Sequence, residues 1–84
     1  MSEYLVPISI EPLEEGGYLA TSSVLQGLIA QGRTVAETLE IAEDVARKII
    51  ESLIEHHEPI PKELTSGQLP LHKFNTKIPV PLEV

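Results

Sequence analysis

Few side chains in this sequence are suited to covalent chemistry. Two histidines, His56 and His57, are adjacent, and a third, His72, stands apart from them. Neighbouring residues on a helix point about 100° apart, so His56 and His57 cannot chelate one metal ion without further ligands. At a helix C-terminus an imidazolium is favoured by the helix dipole, which gives the pair a local structural use instead. The hydroxyls of Ser22 and Ser23 are possible nucleophiles, but neither serine lies in a Gly-x-Ser-x-Gly elbow, and their place beside Gln26-Gly27 reads as a turn. Gly16, Gly17, Gly27 and Gly32 are turn glycines, because none is followed by Lys-Ser or Lys-Thr and the dinucleotide fingerprint lacks its third glycine. Tyr4, Tyr18 and Phe74 are too dispersed to stack nucleic-acid bases. With no cysteine in the chain, a thiolate nucleophile, a disulfide and a thiolate metal site are all excluded. The expectation is a protein with no catalytic residues, no cofactor and no metal.

Charge is the more informative property. Thirteen Asp and Glu against six Lys and Arg give a net charge of -7. A field of that sign repels phosphate backbones, so direct binding of nucleic acid by this chain alone is not expected. Residues 34–58 hold seven of the acids against Arg47 and Lys48. On the outer face of a helix, Glu40, Asp44, Glu51 and Glu55 would suit a basic protein partner, although the ordinary use of such charges is a solvated surface. No apolar run approaches the ~18 residues of a membrane span, and Met-Ser-Glu-Tyr lacks the basic region and apolar core of a signal peptide, so a cytoplasmic protein without membrane contact is expected.

A chain of 84 residues supports one domain, since it buries only ~60–65% of the surface that its unfolded form exposes. Tyr4, Val6, Ile8 and Ile10 alternate with Leu5, Pro7, Ser9 and Glu11, which predicts a strand over residues 4–11. Glu14-Glu15-Gly16-Gly17 turns the chain back into a second strand over residues 18–22. A third, over residues 28–31, ends at Gly32. Thr34 followed by Glu37 has the form of a capping box, in which the Thr34 hydroxyl accepts from the Glu37 backbone and the Glu37 side chain returns to Thr34. The helix that starts there should stop near His57, before Pro59 and Pro61. Its apolar stripe, Val35, Leu39, Ala42, Ala46, Ile49 and Leu53 with Val45 and Ile50 beside it, faces the sheet. Ile41 and Ile54 widen that sector, and Leu5, Leu19 and Ile29 fall on the other sheet face, so a homo-oligomer, most simply a dimer, is expected.

Residues 62–76 show no period. Residues 77–84 do, with Ile78, Val80, Leu82 and Val84 alternating with Lys77, Pro79, Pro81 and Glu83. This predicts a final strand whose two prolines remove donors from one edge only. The fold class is therefore α+β in two layers, a three-stranded antiparallel sheet with one long helix and a C-terminal strand, in the order β-β-β-α-β.

The succession Gly16-Gly17-Tyr18-Leu19-Ala20, then Gly27, then Gln31-Gly32-Arg33-Thr34-Val35-Ala36-Glu37, resembles the HicB family of antitoxins. The resemblance covers about residues 4–61, including Pro59-Ile60-Pro61. Ser23 stands where the family usually has a turn proline, Leu28 where a cysteine is often found, and Thr38 where the helix usually has alanine. The resemblance implies a single HicB-like domain with a partial RNase H-like fold that lacks nuclease chemistry. It also implies a partner, HicA, a small basic toxin that cleaves mRNA with a histidine. Many family members add a C-terminal DNA-binding domain; residues up to Val84 contain none, so operator binding by this chain is not expected. The functional expectation is an antitoxin-like binding module of a type II toxin-antitoxin system that neutralises a HicA-type toxin by masking it. The alternative is a solitary HicB-like oligomeric regulator or small-ligand-binding protein with no toxin partner. An RNase H-like enzyme would need several carboxylates converging on two metal ions, whereas most acids here fall on the outer helix face or in turns.

Overall fold

The first two connections are short and each contains a glycine at positive φ, and the strands pair in chain order. The structure, a computed structural model, describes residues 3–64 and 72–83. Strands β1 (Ser9–Pro12), β2 (Tyr18–Thr21) and β3 (Ile29–Gly32) form one antiparallel sheet in the order β1-β2-β3. Between β1 and β2 the Leu13 amide donates to the Gly17 carbonyl at 2.9 Å and the Gly16 amide to the Leu13 carbonyl at 3.0 Å. Gly17 takes φ +84°, and a Cβ there would stand 2.7 Å from the Gly32 carbonyl oxygen, so only glycine lets the hairpin turn lie against the end of β3. Between β2 and β3, Ser22 Oγ accepts from the amides of Val24 at 3.2 Å and Leu25 at 3.0 Å, the local bonding that suits serine to turns.

The register places Ile10, Ala20 and Ala30 side by side across the sheet, and Ser9, Thr21 and Ile29 in the neighbouring row on the opposite face. Ala20 and Ala30 are buried, whereas Ile29 is exposed. Helix α1 (Val35–Glu55) covers the alanine face. Its N-cap is Thr34, whose hydroxyl accepts from the Glu37 amide at 3.0 Å. Glu37 Oε1 accepts from the Arg33 amide at 2.7 Å, one residue further back than the Thr34 amide of the expected capping box. The line buried on α1 is Thr38, Ala42, Ala46 and Ile50, flanked by Val45, Ile49 and Leu53. The stripe is thus rotated slightly from the expected one, and Leu39 is left half-buried at its margin. Thr38 has no exposed surface, and its hydroxyl donates to the Thr34 carbonyl at 2.7 Å, so this departure from the family's alanine leaves no polar group unsatisfied.

At the other end the Glu58 amide donates to the Leu53 carbonyl at 2.8 Å and the His57 amide to the Ile54 carbonyl at 3.1 Å. This is the paired bonding of a Schellman motif, with His57 at φ +57° in the position that glycine usually fills. Beyond it a 3-10 turn, Lys62–Leu64, swings Leu64 into the core, where it is 1% exposed. Leu25, Leu28 and Ile50 fill the rest of that core with the four buried alanines.

Two expected strands also differ from the structure. The first strand was expected over residues 4–11, but its ladder spans Ser9–Pro12 only; residues 3–8 keep the alternation, with Tyr4, Val6 and Ile8 half-buried against the core, and have no ladder partner among the described residues. The final strand was expected over residues 77–84. Residues 77–83 belong to no ladder among the described residues, and Ile78, Val80 and Leu82 are 78%, 66% and 80% exposed; Val84 lies outside the described residues. Prolines close one edge of this segment, and among the described residues no strand meets the other. Of the segment 62–76 expected to be irregular, residues 62–64 form the 3-10 turn and residues 65–71 lie outside the described residues.

Candidate interaction surface

Helix geometry brings the acids of α1 together. Positions 40, 44, 51 and 55 fall within a sector of about 60° on a helix of 3.6 residues per turn. Glu40, Asp44, Glu51 and Glu55 are all exposed there, as the sequence pattern requires. They are not equivalent. Asp44 is held by Arg47 Nη1 at 3.3 Å and by Lys48 Nζ at 3.5 Å, and Arg47 Nη2 also binds Glu43 at 3.1 Å. Glu40, Glu51 and Glu55 make no ion pair among the described residues. The negative field of this face is therefore carried by those three glutamates, while Asp44 is largely compensated by its neighbours.

Next to the acidic sector lies a groove of about 660 Å3. One wall is Tyr4, Val6 and Ile8 from the unpaired segment before β1. The other is the flank of α1 from Leu39 to Ile54, with Ala42, Ala46 and Ile50 at its base. Glu3, Glu43, Arg47 and Glu51 also line it, so the apolar floor is rimmed by three acids and one base. Sequence reasoning singled out the acids but did not foresee this groove. The signal available was Ile54, too far round the helix to serve the sheet; it is 54% exposed at the groove's end. Ile41 is 37% exposed and is not among the groove residues, so the two isoleucines do not share one surface.

Three of the remaining reactive residues have structural employment, while Ser23 and His72 are exposed. His56 Nδ1 lies 2.8 Å from the Ser52 carbonyl oxygen, which can only accept, so the ring donates a proton there and closes the last turn of α1. His57 occupies the left-handed position of the helix terminus, and Ser22 Oγ is engaged by two backbone amides. Among the described residues no three His, Asp or Glu side chains are grouped to hold a metal ion, and no helix is long and apolar enough to cross a membrane.

No family model matches the chain. Antitoxin HicB of Escherichia coli (strain K12) is 36% identical over 78 residues, which is 93% of this chain and 53% of that protein. UPF0150 protein ssr1765 of Synechocystis is 37% identical over 60 residues, 71% of this chain and 76% of that protein. The chain belongs to the HicB-like, UPF0150 family. A second Synechocystis relative, UPF0150 protein ssl0259, is 40% identical over 55 residues and 75% of its length is matched. The HicB-like chain thus spans about half the length of the relatives named Antitoxin HicB and about three quarters of the shorter UPF0150 proteins. The glycine and capping motifs noted in the sequence have structural uses here: Gly17 lies against Gly32, and Thr34 and Glu37 bond backbone amides at the start of α1.

Proposed function

We propose that this chain is the protein-binding module of an antitoxin, that it neutralises a small, basic, mRNA-cleaving toxin of the HicA type by masking it, and that it performs no catalysis itself. The observation that carries this reading is the row of uncompensated glutamates, Glu40, Glu51 and Glu55, beside an apolar groove on the same helix, in a chain of the HicB-like family. Charge of this kind speeds encounter with a basic partner, and an adjoining apolar floor supplies contacts that slow dissociation. The order of three antiparallel strands and a helix is compatible with a partial RNase H-like fold, and a cytoplasmic location follows from a toxin that acts on mRNA. The short UPF0150 relatives, whose names mention no toxin, favour a second reading as a solitary regulator whose groove takes some other ligand.

The decisive experiment titrates the chain into an RNA-cleavage assay of a HicA-type toxin and follows binding kinetics at two salt concentrations. Cleavage should be inhibited stoichiometrically. The double variant Glu40→Lys, Glu55→Lys should associate roughly tenfold more slowly at low salt and lose much of its salt dependence, with stability unchanged to within about 0.5 kcal/mol. Asp44 is the poorer probe, since its reversal also breaks the pairs with Arg47 and Lys48. Absence of inhibition would overturn the antitoxin reading; inhibition with an unaltered on-rate would remove the glutamate row from the interface.

A further inference from the structure

Among the described residues, two surfaces lack a cover and match one another. The groove between residues 3–8 and α1 is open, and its outer wall has a backbone edge with no ladder partner among the described residues. Residues 77–83 carry Ile78, Val80 and Leu82 on one side with more than 60% of each exposed. We propose that residues 77–83 of one copy add as a strand to the edge of residues 3–8 of a second copy, with Ile78, Val80 and Leu82 directed into the groove, and that the exchange is reciprocal and gives a two-fold dimer. This inference does not rest on the toxin reading, and it bears on it: the exchanged strand fills the groove, so a toxin bound to the dimer would meet the glutamate row and not the apolar floor.

Length, charge and edge chemistry all agree with this occupant. Seven residues in strand conformation span about 23 Å at 3.3 Å per residue. The helical wall from Leu39 to Ile54 is about 22 Å long at 1.5 Å per residue. The groove is rimmed by Glu3, Glu43 and Glu51 against Arg47, while the segment 72–83 brings Lys73 and Lys77 against Glu83, so an acidic rim receives the basic stretch of a chain whose net charge is -7. Residues 78, 80 and 82 retain their amide donors on one edge, which is the edge that would pair. Pro79 and Pro81 remove the two central donors of the opposite edge, which disfavours addition of a further strand outside it. Reciprocal exchange then closes at two copies instead of growing into a filament. A second copy is favoured over the chain's own segment because in the single chain those three side chains stay exposed and none of them lines the groove.

The absence of cysteine makes the test direct. Val80 is the middle of the segment and Arg47 is near the middle of the groove wall, so the pair is insensitive to strand direction. The two single variants Val80→Cys and Arg47→Cys, mixed and oxidised, should give a disulfide-linked species of twice 9.2 kDa that joins one chain of each kind. Light scattering of the unmodified chain at micromolar concentration should give the same doubled mass, and Val80→Asp should weaken self-association by more than about tenfold. Val80 is 66% exposed, so this change does not threaten the core. A monomer mass, a mixture that yields no disulfide between the two different variants, or a dimer that survives Val80→Asp without the mixed crosslink would each overturn the proposal.

Discussion

Leu64 tests whether the residues after the helix belong to the folding unit. It is 1% exposed and sits on a 3-10 turn in which its own amide donates to the Pro61 carbonyl at 3.0 Å. Truncating a buried leucine to alanine costs about 2–5 kcal/mol, and the cost falls where the site can relax into the space left behind. A single 3-10 turn between exposed Lys62 and Glu63 relaxes more readily than the interior of a helix, which places Leu64→Ala at about 2–3.5 kcal/mol. A domain of this size holds about 4–13 kcal/mol in total, so the loss is a large fraction of its stability. At about 4–8 °C per kcal/mol the melting temperature should fall by roughly 8–28 °C. The chain has no tryptophan, so urea unfolding is best followed by far-UV circular dichroism. It should be done at two well-separated protein concentrations, because association would add its own stabilisation. A loss under about 1 kcal/mol with an unchanged urea slope would refute the placement of Leu64 in the core.

Two further predictions concern backbone positions. Gly17→Ala should cost about 2–4 kcal/mol, since a left-handed φ and a Cβ 2.7 Å from the Gly32 carbonyl oppose it together, whereas Gly16→Ala, with open space around its Cβ, should cost only about 1–2 kcal/mol; equal losses in urea unfolding would count against the contact between the turn and β3. His57→Gly should stabilise by about 0.5–1 kcal/mol and raise the melting temperature by a few degrees, because glycine meets no Cβ penalty at φ +57°; a lowered melting temperature would show that the His57 side chain makes a contact worth more than the relief of strain.

Legibility followed the range of the interactions. Gly16-Gly17, the Thr34 cap and Pro59 act within a few residues, and the hairpin and both helix ends lie within a residue or two of where the sequence puts them. The glutamate row was also legible, because helical spacing alone sets it. What failed depends on distant partners. Whether residues 3–8 and 77–83 join a ladder depends on what lies beside them, and alternation cannot supply that. The groove needs the N-terminal segment and the flank of α1 together, so its sequence trace was reduced to the odd placement of Ile54. Leu64 fell in a stretch without period, where a single buried side chain leaves no pattern to read. Even the helix face shifted: the small Ala20 and Ala30 of the sheet accept Thr38, Ala42 and Ala46 closely, so the buried line follows the alanines and Leu39 moves to the margin.

The nearest-neighbour order of the sheet has a kinetic consequence. Every strand of β1-β2-β3 pairs with the strand adjacent in sequence, and α1 packs on the strand that immediately precedes it. Loop closures are short, and low contact order of this kind goes with folding in about milliseconds or less. Encounter between two proteins at micromolar concentration, with rate constants of about 10^5–10^6 M⁻¹s⁻¹, takes about seconds. A newly released chain therefore completes its core long before it docks with a specific partner at that concentration, and during that interval it exists as a folded monomer with its groove unfilled. Whatever reaches the groove first, at cellular concentrations, competes for a site that is already formed.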